Sequence, residues 1–394
     1  MKKDELTQKA IEVLHRATTP DGILALAEDN ENYRRVWSRD ASIAGIAGLL
    51  AGDEIITNGL HSSLFTLANA QAVTGAIPSN VMPDSGKASY GSLAGRVDAT
   101  TWWLIATAIY ARHSQDQQFL KKMIPHVHKA FDVLRAWEFN ERHLLYTPLS
   151  GNWADEYPLH GYLLYDNCLR LWALRAWALL LDSAELNEKS VAVSTVITQN
   201  FWPAKEVENL YHPKLQTLNA LEFWIAGFHP GGSYDGIFDA AGNAFAILLG
   251  LGDQQKNKQI YHYLVKAQAT MGRYLIPAFW PVIKPGDHLW EDVVNNYAYH
   301  FKNEPHHFHN GGSWPVMAAW LMLALQINEP DIDLSKWRET CMAYLGVETF
   351  PFPEYIDTLN GEAGGKKNLS FSAAACLLLS LDDDPQIKEK LCLI

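Results

Sequence analysis

Apolar residues along this 394-residue chain recur at helical spacing, in stretches of 11 to 24 residues, and almost nowhere alternate as a half-buried strand would. The pattern predicts twelve helices, over residues 4–16, 41–51, 53–71, 100–114, 115–138, 160–181, 187–201, 238–249, 253–271, 312–326, 334–344 and 368–381. Shared among them, the chain leaves about 33 residues for each helix with its connection, which suits helix pairs better than alternating strands and helices. No stretch rich in Pro, Gly and Ser separates two halves. The expectation is an all-α protein, one domain over residues 1–394, whose helices pair as six hairpins.

The connections sort into two kinds. Those leaving even-numbered helices are short: Gly52, almost nothing at Ser114, then 182–186, 250–252 and 327–333. Those leaving odd-numbered helices are long: 17–40, 72–99, 139–159, 202–237, 272–311 and 345–367. In a ring of antiparallel hairpins every odd-to-even connection lies at the same end, so six long loops crowd one mouth. The same loops carry the chemically distinctive residues: Trp37, Arg39 and Asp40; Arg96 and Asp98; Trp153, Asp155 and Glu156; Trp224 and Asp235; Trp280, Trp290 and His309; Glu354 and Asp357. Long polar and aromatic loops on one face of a scaffold are the usual seat of binding and catalysis.

Composition narrows the partners. Hydrophobic residues make up 48% and charged residues 19%, enough apolar material for a large core. The 32 Lys and Arg against 44 Asp and Glu give a charge of -12 with no basic run longer than a pair, so neither nucleic acid nor an anionic membrane is an expected partner. Cys168, Cys341, Cys376 and Cys392 stand at wide, unpatterned spacings that suggest neither a zinc site nor a disulfide framework. A charged N-terminus and the lack of any 18-residue apolar run argue against secretion and membrane insertion, so a cytoplasmic location is expected. The 14 Trp, 16 Tyr and 15 Phe suit a small saccharide, whose apolar C–H face stacks on an indole. Oligomeric state is not set by these features, and a homo-oligomer is compatible with them.

Two loops offer carboxylates for catalysis. In Gly151-Asn152-Trp153-Ala154-Asp155-Glu156-Tyr157 a carboxyl beside an indole is expected to be desolvated and held protonated, as a general acid requires. Capping of the following helix by Asp155 or Glu156 is an equal alternative on spacing alone. Pro351 and Pro353 restrain the backbone around Glu354, which suits a base that activates water; a solvated loop glutamate is the plainer reading. An acid and a base from different loops above one pocket are what inverting glycoside hydrolysis needs. Arg39-Asp40 pairs a forked donor with an acceptor suited to pyranose hydroxyls, or forms an internal salt bridge. His309 and Asn310, within His306-His307-Phe308-His309-Asn310-Gly311-Gly312-Ser313-Trp314-Pro315, read as polar sugar contacts rather than metal ligands, because no carboxylate follows at ligand spacing.

Four of these segments occurring together resemble the neutral and alkaline invertases of glycoside hydrolase family 100. They are Val36-Trp37-Ser38-Arg39-Asp40, Gly95-Arg96-Val97-Asp98 followed by Trp102-Trp103, His309 to Pro315, and Pro353-Glu354-Tyr355 with Asp357-Thr358. They fall in the family's order and run from about Trp37 to Leu381. The resemblance implies an (α/α)6 barrel, inversion at an α-glucosidic carbon, and no metal or organic cofactor. It places the acid on Asp155 and the base on Glu354, with Arg39, Asp40 and His309 as ligands of the glucosyl unit. Trp37, Arg96, Asp98, Trp153, Asn310 and Trp314 complete the expected sugar site.

The chain departs from the family where a leaving fructosyl unit would bind. Glu156 and Tyr157 follow Asp155 where two arginines are usual, and His306 and His307 replace a stretch containing Trp and Tyr. An α-glucosidase for another disaccharide or a short α-glucan is therefore the near alternative to sucrose cleavage. Two alternatives come from other classes: a sugar epimerase or isomerase working through His160, His229 and His309, and a sugar-binding relative without catalysis.

Overall fold

In the computed structural model, residues 3–28, 32–203, 210–218, 221–381 and 384–393 are described. The long loops predicted over 17–40 and 202–237 lie partly outside these residues. The helices are α1 (Lys3–Ala17), α2 (Ser38–Leu50), α3 (Glu54–Asn69), α4 (Val97–Ser114), α5 (Gln117–Ala136), α6 (Leu164–Leu181) and α7 (Ala184–Phe201). They continue as α8 (Ala240–Leu248), α9 (Gln254–Met271), α10 (Trp290–Asn295), α11 (Pro315–Asn328), α12 (Ser335–Leu345), α13 (Ser370–Ser380) and α14 (Ile387–Lys390). Twelve correspond to the predicted set; α10 and α14 are short additions, one within the fifth long loop and one near the C-terminus.

Short turns and side-chain caps start the outer helices. Asp53, Asp116, Ser183 and Asp253 accept backbone N–H groups at the first turns of α3, α5, α7 and α9, each immediately after a short connection. These helices bury one face only. In α5 the buried positions are Phe119, Met123, Val127, Ala130, Val133 and Leu134, the spacing of a single stripe.

The other set is buried nearly all round. Every residue of α4 from Val97 to Ala111 is buried, as is every residue of α11 from Pro315 to Leu325. A helix with no solvent-facing side sits inside the protein. Packing bears this out: α2, α4, α6, α8, α11 and α13 contact one another in that order, and α13 returns to α2 and closes the ring. Around it, α3 packs on α2, α5 on α4, α7 on α6, α12 on α11 and α13, and α1 on α13. This is the (α/α)6 barrel. Its centre is filled by Trp102, Trp172, Phe245 and Trp320 from four inner helices, with ring centroids 5.5–6.1 Å apart.

Three predicted helix starts near the site move. Helix α6 begins at Leu164 rather than 160, because Tyr162–Leu163 pairs with Gly227–His229 in a small antiparallel sheet. Helices α2 and α4 begin earlier, so Arg39, Asp40 and Asp98 occupy first turns rather than loops. The long loops also carry short strands, among them Val36–Trp37, Asn80–Val81 and Ala88–Ser89, which form one three-stranded sheet. Among the described residues no helix is long and apolar enough to cross a membrane.

Candidate active site

The loops at the barrel mouth enclose a cavity of about 800 Å³. Trp37, Arg39, Asp40, Arg96, Asp98, Trp153, Asp155, His309, Trp314 and Glu354 all line it, and Glu156 joins them. Asn310 does not. It is fully buried behind the wall, where its amide donates to Ile283 O at 2.8 Å and Asn303 O at 3.0 Å and accepts from Ile283 N–H at 2.8 Å. Its work is to brace the loop, so the expected sugar contact is corrected to a structural role. His160 and His229 lie against each other, ring centroids 4.8 Å apart, and neither is a cavity residue. The three histidines of the epimerase alternative are therefore not brought together.

The inner helices deliver the site through their N-termini. Trp37, Arg96 and Trp314 occupy the N-cap positions of α2, α4 and α11, and none makes a side-chain cap. Four outer helices, α3, α5, α7 and α9, carry Asp or Ser there; at the mouth α8 keeps such a cap in Asp239, while α2, α4 and α11 give up that preference to cavity residues. One turn in, Arg39 donates from Nη1 to Asp98 Oδ2 at 2.9 Å, and its Nη2 lies 3.6 Å from Asp40 Oδ2. Tyr165 and Trp102 extend this network into the core, Trp102 Nε1 donating to the Tyr165 hydroxyl at 2.9 Å. The salt bridge read as the plain alternative for Arg39 thus exists, and it lies on the cavity wall. Burial pushes the Asp40 carboxyl above the usual range, with Arg39 pulling the other way.

Asp155 is not a helix cap, since α6 starts nine residues later. Its carboxylate is paired with Arg96, whose Nη1 also donates to Ser150 O at 2.7 Å and Asn152 O at 3.1 Å. The guanidinium thus ties Asp155 to Ser150 and Asn152 of the same loop. Burial is the largest single effect on Asp155 and raises its pKa, as the neighbouring Trp153 led one to expect, but the interactions with Arg96 and the groups around it together outweigh burial and hold the carboxyl below the usual carboxylate range. The expected protonated resting state is thereby corrected: groups brought in from elsewhere in the chain, Arg96 first among them, together override desolvation. Glu156 accepts from Lys302 Nζ at 3.2 Å, and Lys302 lies 4.7 Å from the Phe308 ring centroid.

Glu354 is held from both sides. Tyr33 donates to Oε1 at 2.8 Å and the Lys366 N–H donates to Oε2 at 3.1 Å, while the two backbones pair through Glu354 N–H to Lys366 O at 2.8 Å. Burial is the main effect on this carboxyl and moves its pKa up. Gly365 makes the arrangement possible: its φ is +77°, and a Cβ there would stand 2.1 Å from Glu354 Oε2. Gly365→Ala is expected to push the carboxylate out of place and cut turnover by at least about tenfold, whereas left-handed strain alone costs only about 1–2 kcal/mol. Steady-state kinetics beside a thermal melt will separate the two effects.

His309 is buried with its ring stacked on Trp314, centroids 5.1 Å apart, and edge-on to Trp153 at 5.2 Å. Burial pushes its pKa down to about 3, so the imidazole is neutral. Trp153 itself stacks on Phe279. Trp153 Nε1, His309 Nδ1, Asp40 Oδ2 and Glu156 Oε2 are buried without a hydrogen-bond partner among the described residues. Unpaired polar atoms on side chains that line one cavity are groups a bound ligand can satisfy. Sequence reasoning missed Tyr33, Lys302, Tyr355 and Lys366, all cavity residues. Nothing local distinguishes Tyr33; only its partner, 321 residues on, does. Among the described residues no group of three or more His, Cys, Asp or Glu is arranged to hold a metal ion; His306 instead bonds Thr358 and His307 pairs with Asp357.

A family profile described as alkaline and neutral invertase matches residues 222–381. Probable alkaline/neutral invertase F of Arabidopsis thaliana is 24% identical over 421 residues, covering 91% of this chain and 82% of its own length. The chain is similar to the alkaline and neutral invertases. Probable alkaline/neutral invertase A, chloroplastic, of the same plant is 23% identical over 89% of this invertase-like chain, which spans 64% of the plant protein's length. Cytosolic invertase 1 of Oryza sativa subsp. japonica is 24% identical over 88% of the chain and 70% of its own length. A second profile, amylo-alpha-1,6-glucosidase, matches residues 9–139.

Solved structures agree on the fold. The GH63 mannosylglycerate hydrolase from Thermus thermophilus, in complex with Tris and D-glycerate, superposes with a TM-score of 0.66 at 14% identity, covering 95% of this chain and 99% of that one. A bacterial glucoamylase complexed with acarbose gives 0.62 at 16% identity, over 95% of this chain and 54% of that one. Together the comparisons support a glycoside hydrolase. The invertase-matched segment contains His309 and Glu354, the other contains Arg39, Asp40, Arg96 and Asp98, and Asp155 falls between them.

Proposed function

We propose that this invertase-like chain is a single catalytic domain that hydrolyses an α-glucosidic bond of a small saccharide with inversion, sucrose being the first substrate to test. One observation carries the reading: Asp155 and Glu354, from different long loops, line one cavity together with Trp37, Trp153, Arg39, Asp40 and His309. Asp155 protonates the glycosidic oxygen while Glu354 takes a proton from water, and the aromatic and Arg39–Asp40 surfaces hold the glucosyl ring. The chemistry asks for no metal ion or organic cofactor. A cytoplasmic setting accords with four buried, unpaired cysteines.

The carboxyl pair works with one proton between them. Arg96 lowers the proton affinity of Asp155 and burial raises that of Glu354, so the productive arrangement, Asp155 protonated and Glu354 ionised, is the minor one in the free protein. An aglycone oxygen that takes the place of Arg96 at Asp155 shifts the balance towards it. Tyr33→Phe removes a donor that favours ionised Glu354, so the pKa of Glu354 rises further. The alkaline limb of kcat/KM should move to higher pH, and turnover should fall roughly 10- to 100-fold, the loss of a hydrogen bond to a charged group.

The experiment is a screen of α-glucosidic disaccharides followed by NMR of the anomer first released. β-Glucose from an α-linked substrate supports the reading, and α-glucose sinks it. The match over 9–139 favours a second reading, cleavage of α-1,6 linkages in short glucans, which the same screen tests. Absence of hydrolysis with every substrate, alongside retained sugar binding, would point to a binding protein.

A further inference from the structure

Five cationic side chains line the cavity: Arg35, Arg39, Arg96, Lys302 and Lys366. Arg39 is matched by Asp98 and Asp40, Arg96 by Asp155, and Lys302 by Glu156. Arg35 differs. Its Nη1 donates to the neutral Asn80 Oδ1 at 3.1 Å, its Nε is buried without a partner, and no Asp or Glu among the described residues forms an ion pair with it. A guanidinium set into a partly enclosed wall with its charge unanswered is a standing attraction for an anion, the more so in a chain of net charge -12 that would otherwise repel one.

Its place relative to the reaction centre follows from the segment it occupies. Tyr33, Arg35 and Trp37 alternate along the approach to α2 and all line the cavity, whereas Val36 between them is buried in the core. Backbone bonds fasten this segment at two points, Leu26 N–H to Tyr33 O at 3.0 Å and Ala25 N–H to Arg35 O at 3.1 Å. The Tyr33 hydroxyl is on Glu354, and two residues span at most about 7 Å of chain. Arg35 and Glu354 thus line one cavity, and a saccharide reacting over Glu354 has Arg35 on the same wall segment as Tyr33.

We propose that the substrate carries one anionic substituent, a phosphate ester or a carboxylate, which Arg35 neutralises. The proposal rests on the hydrolase reading and narrows its substrate class. The planar fork of a guanidinium suits either oxyanion, and each gains more from it than a hydroxyl does. Asn80 orients the fork through Nη1. Discrimination arises because a neutral sugar leaves the charge unanswered, whereas an acidic one removes that penalty on binding.

The test uses three substrates: a neutral α-glucosidic disaccharide, the same disaccharide phosphorylated on a primary hydroxyl, and an α-glucoside of a small hydroxy acid. With the unaltered protein, one acidic substrate is expected to show at least about tenfold higher kcat/KM than the neutral one, the advantage shrinking as salt rises. Which acidic substrate wins identifies the anion. In Arg35→Gln the ratio of acidic to neutral kcat/KM should collapse towards one, and Arg35→Lys should keep part of it. A best rate on the neutral sugar, or an acidic preference that persists in Arg35→Gln, overturns the proposal. Calorimetric binding of the same compounds to Glu354→Gln reads the preference without turnover. Equal affinities there also overturn it, whereas an Arg35-dependent preference for acid with no hydrolysis of any compound supports the anion site and refutes the hydrolase reading instead.

Discussion

Glu354→Gln is expected to slow hydrolysis by about 10⁴-fold, the upper end of what a positioned general base contributes, with substrate affinity nearly unchanged. The carboxylate accepts from Tyr33 and from the Lys366 N–H, and both donors favour its ionised form. Glutamine keeps the shape and loses the basicity. Single-turnover kinetics beside equilibrium binding of substrate will separate the two quantities. If the rate falls only in step with binding, Glu354 is a sugar ligand and the water is activated elsewhere.

Asp155→Asn is the second large effect. It should cost about 10²- to 10⁴-fold on ordinary disaccharides, whose leaving oxygen needs a proton, and far less on an α-glucosyl fluoride, whose leaving group does not. The pH profile gives an independent check. In the unaltered protein kcat/KM is expected to be bell-shaped, because only the singly protonated pair is active; the acidic limb belongs mainly to Asp155 and the alkaline limb to Glu354. Without Asp155 the acidic constraint on the pair disappears as such, and the rate should rise through the pKa of Glu354 to a plateau. Arg96→Gln should move the acidic limb to higher pH, since the cation that depresses Asp155 is gone. Glu156 is the rival acid: it lines the same cavity and is held by Lys302. Near-normal turnover in Asp155→Asn with an inactive Glu156→Gln would transfer the role.

Much of this architecture is legible in the linear pattern. Asp53, Asp116, Ser183 and Asp253 announce the outer helices because an N-cap bond is made within three residues of the side chain that makes it. The alternation of short and long connections places six loops at one end whatever the details of packing. Boundaries at the mouth were harder to read. Arg39, Asp40 and Asp98 fall in helices because α2 and α4 start from Trp37 and Arg96, which carry none of the usual capping chemistry.

What the amino-acid order settled alone was therefore local or periodic: the twelve helices of the barrel, hairpin order, and which loops hold the carboxylates and aromatics. Tertiary structure decided which groups meet and in what charge state. Asn310 turned from sugar contact to loop brace because Ile283 and Asn303 consume its amide. Asp155 turned from desolvated acid to ion-paired carboxylate because Arg96 reaches it from another loop, and Glu354 owes its orientation to a tyrosine from the far end of the chain. A pKa is set by charges and burial within a few ångströms, and those neighbours come from segments that only the closed ring of helices brings together.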